Sequence, residues 1–300
     1  MACVDKIAEA SDTTVLIEGE TGTGKDWLAR LIHWKTPGRS AHAFMAVHCG
    51  CSPDAELEVE LFGQEAGSFA GAGLRRGALE LSEAGTLFLD EVADLGIGLQ
   101  EKVLGVLQGT AFKRVGGSRE VRHDARMIVA TSCDLTRLRD VGAFGLGLYR
   151  RLSAVHVRLP TLRDRPEDIV PLARYFVTAL GTRMGRTALR LTTESERVLL
   201  DYDFPGNVGE LKLLVQGACI RADSDAIGPE YLVFRDHVRQ NRSPFFWTTL
   251  DGEGRPPPLQ VIKRKYMAKV LHLAKGNRAE AARLLDVSLP TVPKNGAADE

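Results

Sequence analysis

Gly19-Glu20-Thr21-Gly22-Thr23-Gly24-Lys25 stands between an apolar run of β-formers, Thr14-Val15-Leu16-Ile17, and a segment of helical apolar spacing, Trp27-Leu28-Ala29-Arg30-Leu31-Ile32. Strand, glycine-rich turn and helix is the setting in which a G-x-x-x-x-G-K string forms a phosphate-binding loop. Glycines let the backbone curl until successive N–H groups face one phosphate. The helix that follows adds the positive end of its dipole, and Lys25 adds a point charge for the β- and γ-phosphates. Asp26 occupies the position where most such loops carry Ser or Thr for Mg²⁺. A carboxylate there either holds the ion through a water or caps the helix. Nucleotide contacts are therefore expected from Gly19, Glu20, Thr21, Gly22, Thr23, Gly24, Lys25 and Asp26.

The chain has 300 residues, 44% of them hydrophobic and 26% charged, with a formal net charge of +0. That is room for two or three small domains of ordinary globular composition. No apolar run approaches the roughly 20 residues that span a bilayer. No basic segment followed by an apolar one opens the chain, so no secretion signal is expected. The cysteines Cys3, Cys49, Cys51, Cys133 and Cys219 lack the paired spacing of a zinc site. Cys49-Gly50-Cys51 is either a metal or redox pair or two reduced thiols near a strand end. The expectation is a cytoplasmic protein with no membrane partner.

Short β-rich runs at Val15–Ile17, Phe44–Val47, Thr86–Leu89, Met127–Thr131 and Val155–Leu159 alternate with helical segments. This alternation predicts an α/β domain with a largely parallel sheet over residues 1–164. Arg165-Pro166-Glu167-Asp168 opens a helical stretch that continues through Pro171–Leu180, Thr193–Asp201 and Asn207–Ala222. A small helical domain is expected over 165–235. A linker over 236–258 ends in Gly252-Glu253-Gly254-Arg255-Pro256-Pro257-Pro258, which cannot continue a helix. A last helical unit covers 259–300.

Gly85-Thr86-Leu87-Phe88-Leu89-Asp90-Glu91 is an apolar strand ending in two acids. A buried parallel strand delivers such residues to its carboxyl edge, where ligands bind. Asp90 is the expected Mg²⁺ holder, directly or through water, and Glu91 the residue that orients or activates the attacking water. Met127–Ala130 followed by Thr131-Ser132 repeats the placement. These small polar groups, Ser132 in particular, either sense the γ-phosphate or the water, or cap a helix.

These residues resemble the AAA+ central domains of sigma-54-dependent transcriptional activators, the bacterial enhancer-binding proteins. Gly19–Asp26 is similar to that family's G-E-S-G-T-G-K-E, which also carries an acid after the lysine. Glu60-Leu61-Phe62-Gly63-Gln64-Glu65 resembles E-L-F-G-H-E, and Gly67-Ser68-Phe69-Ala70-Gly71-Ala72 resembles the G-A-F-T-G-A loop. Phe112-Lys113-Arg114-Val115-Gly116-Gly117 resembles F-x-R-V-G-G. Leu159-Pro160-Thr161-Leu162-Arg163-Asp164-Arg165 resembles L-P-P-L-R-E-R, and Phe204-Pro205-Gly206-Asn207-Val208 resembles W-P-G-N-V. The resemblance implies a P-loop AAA+ domain with a helical lid, binding ATP and Mg²⁺ and assembling into a ring, usually a hexamer. It implies hydrolysis coupled to remodelling of the sigma-54 RNA polymerase closed complex, with residues 67–72 touching sigma-54 and Phe69 as the apolar contact. Glycines at both ends allow such a loop to rise or collapse.

Departures from the family pattern are local. Ala70 stands where the family has Thr. The family's F-R-E-D-L-x-x-R-L segment is Phe144-Gly145-Leu146-Gly147-Leu148-Tyr149-Arg150-Arg151-Leu152, so its first arginine, a finger on the neighbour's γ-phosphate, is Gly145. The second arginine is kept as Arg151, which the resemblance makes catalytic in trans. Arg150 lies one position off, turned by about 100° on a helix. The sensor arginine of W-P-G-N-V-R-E-L is Gly209. In the family the domain begins some residues upstream of the position of Met1 and follows a receiver or ligand-sensing domain. Neither is expected here, so regulation is expected to come from a partner or to be absent. These changes leave open an alternative: a catalytically impaired nucleotide-binding, DNA-associated module without promoter opening. An ATPase with another client is a third possibility.

Between 263 and 294, Lys263, Arg264, Lys265, Lys269, Lys275, Arg278, Arg283 and Lys294 outnumber the acids Glu280 and Asp286. Such a surplus suits either a polyanion or a solvated helix face. Asn277–Ser288 resembles the Fis-type helix-turn-helix of these activators. Ala281, Ala282, Leu284 and Leu285 give a compact apolar face, and Asp286-Val287-Ser288 a turn. Asn277, Arg278, Arg283, Ser288, Thr291 and Lys294 are the expected contacts to enhancer DNA. Pro290 is tolerable in the first turn of the second helix, but Pro293 removes a backbone donor and clashes with the preceding turn, which points to weakened or nonspecific DNA binding. A small helical cap or dimerisation unit is the other possibility.

Overall fold

The computed structural model describes residues 2–67, 73–234 and, beyond them, 267, 270, 274, 277–285 and 287. It divides into two compact units, Met1–Val233 and Phe234–Glu300. The candidate loop residues Ser68–Ala72 and the candidate DNA contacts Ser288, Thr291 and Lys294 lie outside the described residues.

The first unit is built on five parallel strands: β1 Val15–Glu18, β2 Phe44–His48, β3 Thr86–Asp90, β4 Arg126–Thr131 and β5 His156–Arg158. Their order across the sheet is β2-β3-β4-β1-β5. The register pairs His48 with Asp90, and Glu18 with both Thr131 and Arg158, so the carboxyl ends lie along one edge. Successive side chains of a strand point to opposite faces. Leu16, Leu87, Leu89 and Val129 accordingly enter one apolar cluster, while Val15, Ile17, Phe88, Ile128 and Ala130 enter another. Helices α3 Asp54–Phe62, α5 Ile97–Leu107 and α7 Leu146–Leu152 contribute Leu57, Leu99 and Leu148 to the first cluster. Helix α2 Lys25–Lys35 contributes Ala29 and Ile32 to the second, with Val4 and Ile7 of α1 Ala2–Glu9 packed against it. Burial on both faces explains why the central strands β1, β3 and β4 read as near-continuous apolar runs.

Two short helices, α4 Ala78–Leu81 and α6 Leu135–Asp140, fill the connections. Arg126 opens β4 as the largest fully buried side chain. It donates to the carbonyls of Ile7 (2.6 Å) and Thr13 (3.3 Å) and to Thr36 Oγ1 (2.7 Å), tying α1 and the end of α2 to the sheet.

The chain then turns through a 3₁₀ segment at Pro166–Asp168 into the lid helices α8 Ile169–Arg183, α9 Thr193–Leu200 and α10 Asn207–Arg221. The helical stretch expected to open at Arg165 does so: Arg165 is the cap, Pro166 takes the first position of the 3₁₀ turn, where its missing N–H costs nothing, and the turn runs directly into α8 at Ile169. A parallel α/β sheet with a helical lid is the architecture expected. Among the described residues no helix is long and apolar enough to cross a membrane.

In the second unit, α11 spans Arg278–Leu285. Asn277 Oδ1 accepts the Ala279 and Glu280 N–H groups and so caps it. Ala281 and Ala282 are buried with Val270, and Leu285 and Val287 pack against them.

Candidate active site at the carboxyl edge of the sheet

Between β1 and α2 the chain takes left-handed conformations at Gly22 (φ 80°) and Gly24 (φ 101°), which residues with a side chain adopt at a cost. The turn that results seats Thr23 and Lys25 out of solvent. Thr23 Oγ1 donates to the Glu20 carbonyl at 2.7 Å, and Lys25 Nζ donates to the Gly19 carbonyl at 2.9 Å. A buried ammonium is thus folded back over the loop at the N-terminus of α2, where unpaired helical N–H groups and the helix dipole favour an anion. Asp26 lies in the first turn of α2, is exposed, and makes no side-chain capping bond there.

The second half of the site comes from β3 and β4. Lys25 Nζ pairs with Glu91 Oε1 at 3.1 Å. Glu91 Oε2 accepts from Ser132 N (2.7 Å) and from Ser132 Oγ (2.8 Å). Glu91 has a left-handed backbone (φ 54°), a conformation a non-glycine residue rarely adopts, which turns its side chain back toward Lys25 and Ser132. Burial pulls the Glu91 carboxyl upward, but the Ser132 N–H and hydroxyl together with Lys25 hold it below the usual carboxylate range. Asp90 goes the other way: burial first, then the neighbouring Glu91 charge, raise it, with Lys25 and His48 opposing. Two adjacent carboxylates are thus driven apart in proton affinity by their surroundings. Ser132 therefore belongs to this cluster, and the helix-capping role falls to Asp134, whose Oδ1 accepts from Thr136 N at 2.9 Å. Thr131 Oγ1 is taken up locally, accepting from Cys133 N at 3.0 Å.

Cys49 is buried with its thiol pushed up to about 12 by burial and by the acids around it, Asp90 first, while Cys51 is exposed. Among the described residues no group of His, Cys, Asp and Glu is arranged to hold a metal by itself, and Cys49 and Cys51 are free thiols.

The lid meets the loop directly. The Gly209 N–H donates to the Gly22 carbonyl at 3.2 Å. Asn207 Nδ2 donates to Thr21 O at 3.0 Å and to Glu20 Oε2 at 3.2 Å. Arg163 forks onto both Glu20 oxygens, and Arg165 Nη2 donates to Thr23 O at 3.1 Å. A cleft of about 390 Å³ opens beside these groups, lined by Gly19, Glu20, Ser132, Arg158, Thr161 and Arg163 among others.

With this geometry in hand, a family model described as the sigma-54 interaction domain matches residues 1–158, more than half of the chain. The chain belongs to the sigma-54 interaction domain family. A second model, an AAA+ ATPase lid domain, matches residues 163–244. The Nif-specific regulatory protein of Klebsiella pneumoniae is 38% identical over 278 residues, covering 92% of this chain and 52% of that protein. The response regulator protein PilR of Pseudomonas aeruginosa is 37% identical over 286 residues, covering 95% of this chain and 64% of that protein. The chain spans about half the length of the Nif-specific regulatory proteins it matches, 52% in the Klebsiella case. Crystal structures of NtrX from Brucella abortus with ADP and with ATP superpose with a TM-score of 0.71 at 27% identity, covering 96% and 97% of this chain and 64% of those chains.

Against this sigma-54 interaction domain, the departures take a physical form. Gly145 is the N-cap of α7 with an ordinary extended backbone (φ −66°), its N–H held by Gln100 Oε1 at 2.8 Å. A Cβ there would meet only that oxygen, at 3.5 Å. A Cβ at Gly209 would meet only Gly22 Cα, at 3.5 Å. Neither glycine is demanded by the backbone, and each position would accept a Cβ at ordinary contact distance. Arg151 is exposed on α7 and donates to the Leu107 carbonyl at 3.0 and 3.2 Å, apart from the Lys25 cluster of its own chain. Gly67 opens the candidate sigma-54 loop in a left-handed conformation (φ 77°). Across the base of this loop Gln64 Nε2 donates to the Gly73 carbonyl at 3.1 Å, and Arg114 ties Glu65, just before the loop, to Glu80 of α4.

Sequence reasoning passed over Arg163, Arg165, Asn207 and His48 as site residues. The first three stand inside strings quoted for their resemblance. His48 was findable from strand register, because it ends β2 opposite Asp90 and its Nε2 lies 3.9 Å from Asp90 Oδ2.

Proposed function

We propose that this chain is the ATP-hydrolysing core of a sigma-54-dependent transcriptional regulator, working as a ring to remodel the RNA polymerase closed complex. The observation that carries it is the convergence of Lys25, Asp90, Glu91 and Ser132 at the carboxyl edge, under a glycine loop that closes on a helix N-terminus. In this reading Gly19–Asp26 cradle the phosphates and Lys25 exchanges Glu91 for them. Glu91, freed from Lys25 and still oriented by Ser132, takes up the attacking water. Asp90 suits a hard cation: it is half-buried and raised in proton affinity, and its Oδ1 is engaged by the Glu91 N–H at 3.1 Å. Mg²⁺ there would screen the phosphate charge and draw the γ-phosphoryl oxygens into place.

Arg151 of a neighbouring subunit is the arginine proposed to reach the γ-phosphate, which requires self-association; the proposed assembly is a six-membered ring, as in the family. Gly67–Ala72, with Phe69 as its apolar contact, is the proposed sigma-54 contact. The α/β part is taken as 1–164, the lid as 165–235 and the linker as 236–258. Residues 259–300 form the proposed helix-turn-helix for enhancer DNA, in which Arg278 and Arg283 contribute charge and Asn277 works as the helix cap. The proposed compartment is the cytoplasm, where the polymerase is.

The test is promoter opening by sigma-54 holoenzyme with ATP, comparing the wild-type chain with Lys25→Ala. Opening that requires both ATP and Lys25 supports the proposal. Lys25-dependent ATP binding with no opening leaves the nucleotide-binding, DNA-associated alternative in its place.

A further inference from the structure

Glu20 presents a physical problem. It places a carboxylate inside a loop built to attract phosphates, where an uncompensated negative charge opposes the ligand. The structure resolves it from the lid and from the segment that leads into it. Arg163 makes a bidentate pair with the Glu20 carboxylate, and Asn207 Nδ2 adds a third donor at 3.2 Å. The same Asn207 carboxamide bonds three groups on two segments: its Oδ1 accepts Leu162 N at 2.8 Å, and its Nδ2 reaches Thr21 O at 3.0 Å as well as Glu20. Asn207 is fully buried and left-handed (φ 53°), a conformation that asparagine tolerates better than most residues. Arg165 adds a bond to Thr23 O. At 209, where a side chain would start over Gly22, there is only a backbone N–H on the Gly22 carbonyl.

We propose that Arg163 and Asn207 are positioning residues of the phosphate loop: Arg163, from the segment leading into the lid, and Asn207, from the lid itself, neutralise and orient Glu20 and fix the Thr21–Gly22 peptide, and through Asn207 the lid responds to the loop's occupancy. This rests on the nucleotide-binding reading above and goes beyond it. The lid is coupled through the loop itself, without a side chain at 209 on the phosphates. Glu20 and Arg163 are each about two-fifths exposed (43% and 41%), so solvent screening keeps the effect moderate and salt-dependent.

The experiment is a charge cycle on the full chain, read by equilibrium titration with ADP at low and high salt. Arg163→Gln is expected to weaken ADP by about threefold to tenfold at low salt, the scale of one charge-assisted contact partly screened. Glu20→Gln placed on top of Arg163→Gln is expected to recover most of that loss, because the unpaired carboxylate is gone. A merely structural Arg163 gives no such recovery. The second measurement is hydrogen exchange of residues 207–221 in Asn207→Asp. That variant keeps the bond from Leu162 N but turns an acceptor toward Glu20 and Thr21 O. In the wild-type chain ADP is expected to add protection at 19–25 and at 207–221. In Asn207→Asp, saturating ADP is expected to protect 19–25 alone. An Arg163→Gln affinity equal to wild type, a double variant no better than the single one, or an intact lid response in Asn207→Asp overturns this inference alone. Failure of the wild-type chain to bind ADP overturns the nucleotide reading together with it.

Discussion

Glu91→Gln should tighten nucleotide binding while abolishing turnover, and the structure gives the sign and the size. Lys25 is committed to Glu91 at 3.1 Å and to the Gly19 carbonyl at 2.9 Å, with the two paired side chains only 7% and 14% exposed. Phosphate must take Lys25 from Glu91. A glutamine keeps an oxygen for Ser132 but offers Lys25 no charge, so the competition falls away. A largely buried, hydrogen-bonded pair is worth about 1–2 kcal/mol net, which corresponds to roughly 5- to 30-fold in affinity. About tenfold tighter ADP binding is the expected result by equilibrium titration, with ligand-free stability lower by about the same 1–2 kcal/mol in a urea melt. The pH dependence follows from Glu91 being held below its ordinary value, mainly by Ser132 and Lys25 against the pull of burial. A depressed carboxyl contributes its stability fully above the unfolded value, for which 4.5 is the reference, and loses it as pH falls through the lower folded value. The difference between wild type and Glu91→Gln should therefore be flat from neutrality down to the unfolded value and shrink below it. Weaker ADP binding in Glu91→Gln at neutral pH would refute the idea that Glu91 competes for Lys25.

Three further expectations follow from named contacts. Arg126→Met removes the donor to Ile7 O, Thr13 O and Thr36 Oγ1 and should cost about 2–4 kcal/mol in urea unfolding; a loss under half a kcal/mol would mean that α1 is held by packing alone. Gly209→Arg places a cation at an open site over Gly22 and should tighten ADP by roughly tenfold, the scale of one charge-assisted contact; unchanged affinity would show that a side chain there misses the phosphates. Iodoacetamide at mildly alkaline pH should label exposed Cys51 and Cys133 in the folded chain and spare buried Cys49 and Cys219, as mapped by mass spectrometry; rapid labelling of Cys49 would contradict its burial.

The three central strands were legible because β1, β3 and β4 are apolar on both faces and end in a chemical marker: glycine loop after β1, Asp90-Glu91 at the end of β3, Thr131-Ser132 at the end of β4. Lys25 and Glu91 were legible as separate roles, yet their mutual pairing was not, since 66 positions of chain separate them and only the sheet order brings β1 and β3 to either side of β4. Helices α3 and α5 carry Leu57, Leu61, Leu99 and Val103 at helical spacing but were overshadowed by the motifs beside them. Asn207 and Arg163 escaped notice for a different reason. Their partners, Glu20 and Thr21, are distant in sequence, and nothing local in Phe204-Pro205-Gly206-Asn207 says that the carboxamide will face a phosphate loop. The two-choice reading of Thr131-Ser132 was settled only by Asp134, whose carboxylate takes the cap and leaves Ser132 to Glu91.

The central claim is that the Lys25–Asp90–Glu91 edge turns over ATP in an assembly whose sites are shared between subunits. The most direct test is ATP turnover per chain as a function of chain concentration, with Glu91→Gln and Arg151→Ala measured alongside. The account predicts turnover that rises more steeply than linearly with concentration and is lost in both variants. Turnover no greater than that of Glu91→Gln at every concentration, or turnover indifferent to Arg151 and to concentration, would contradict it.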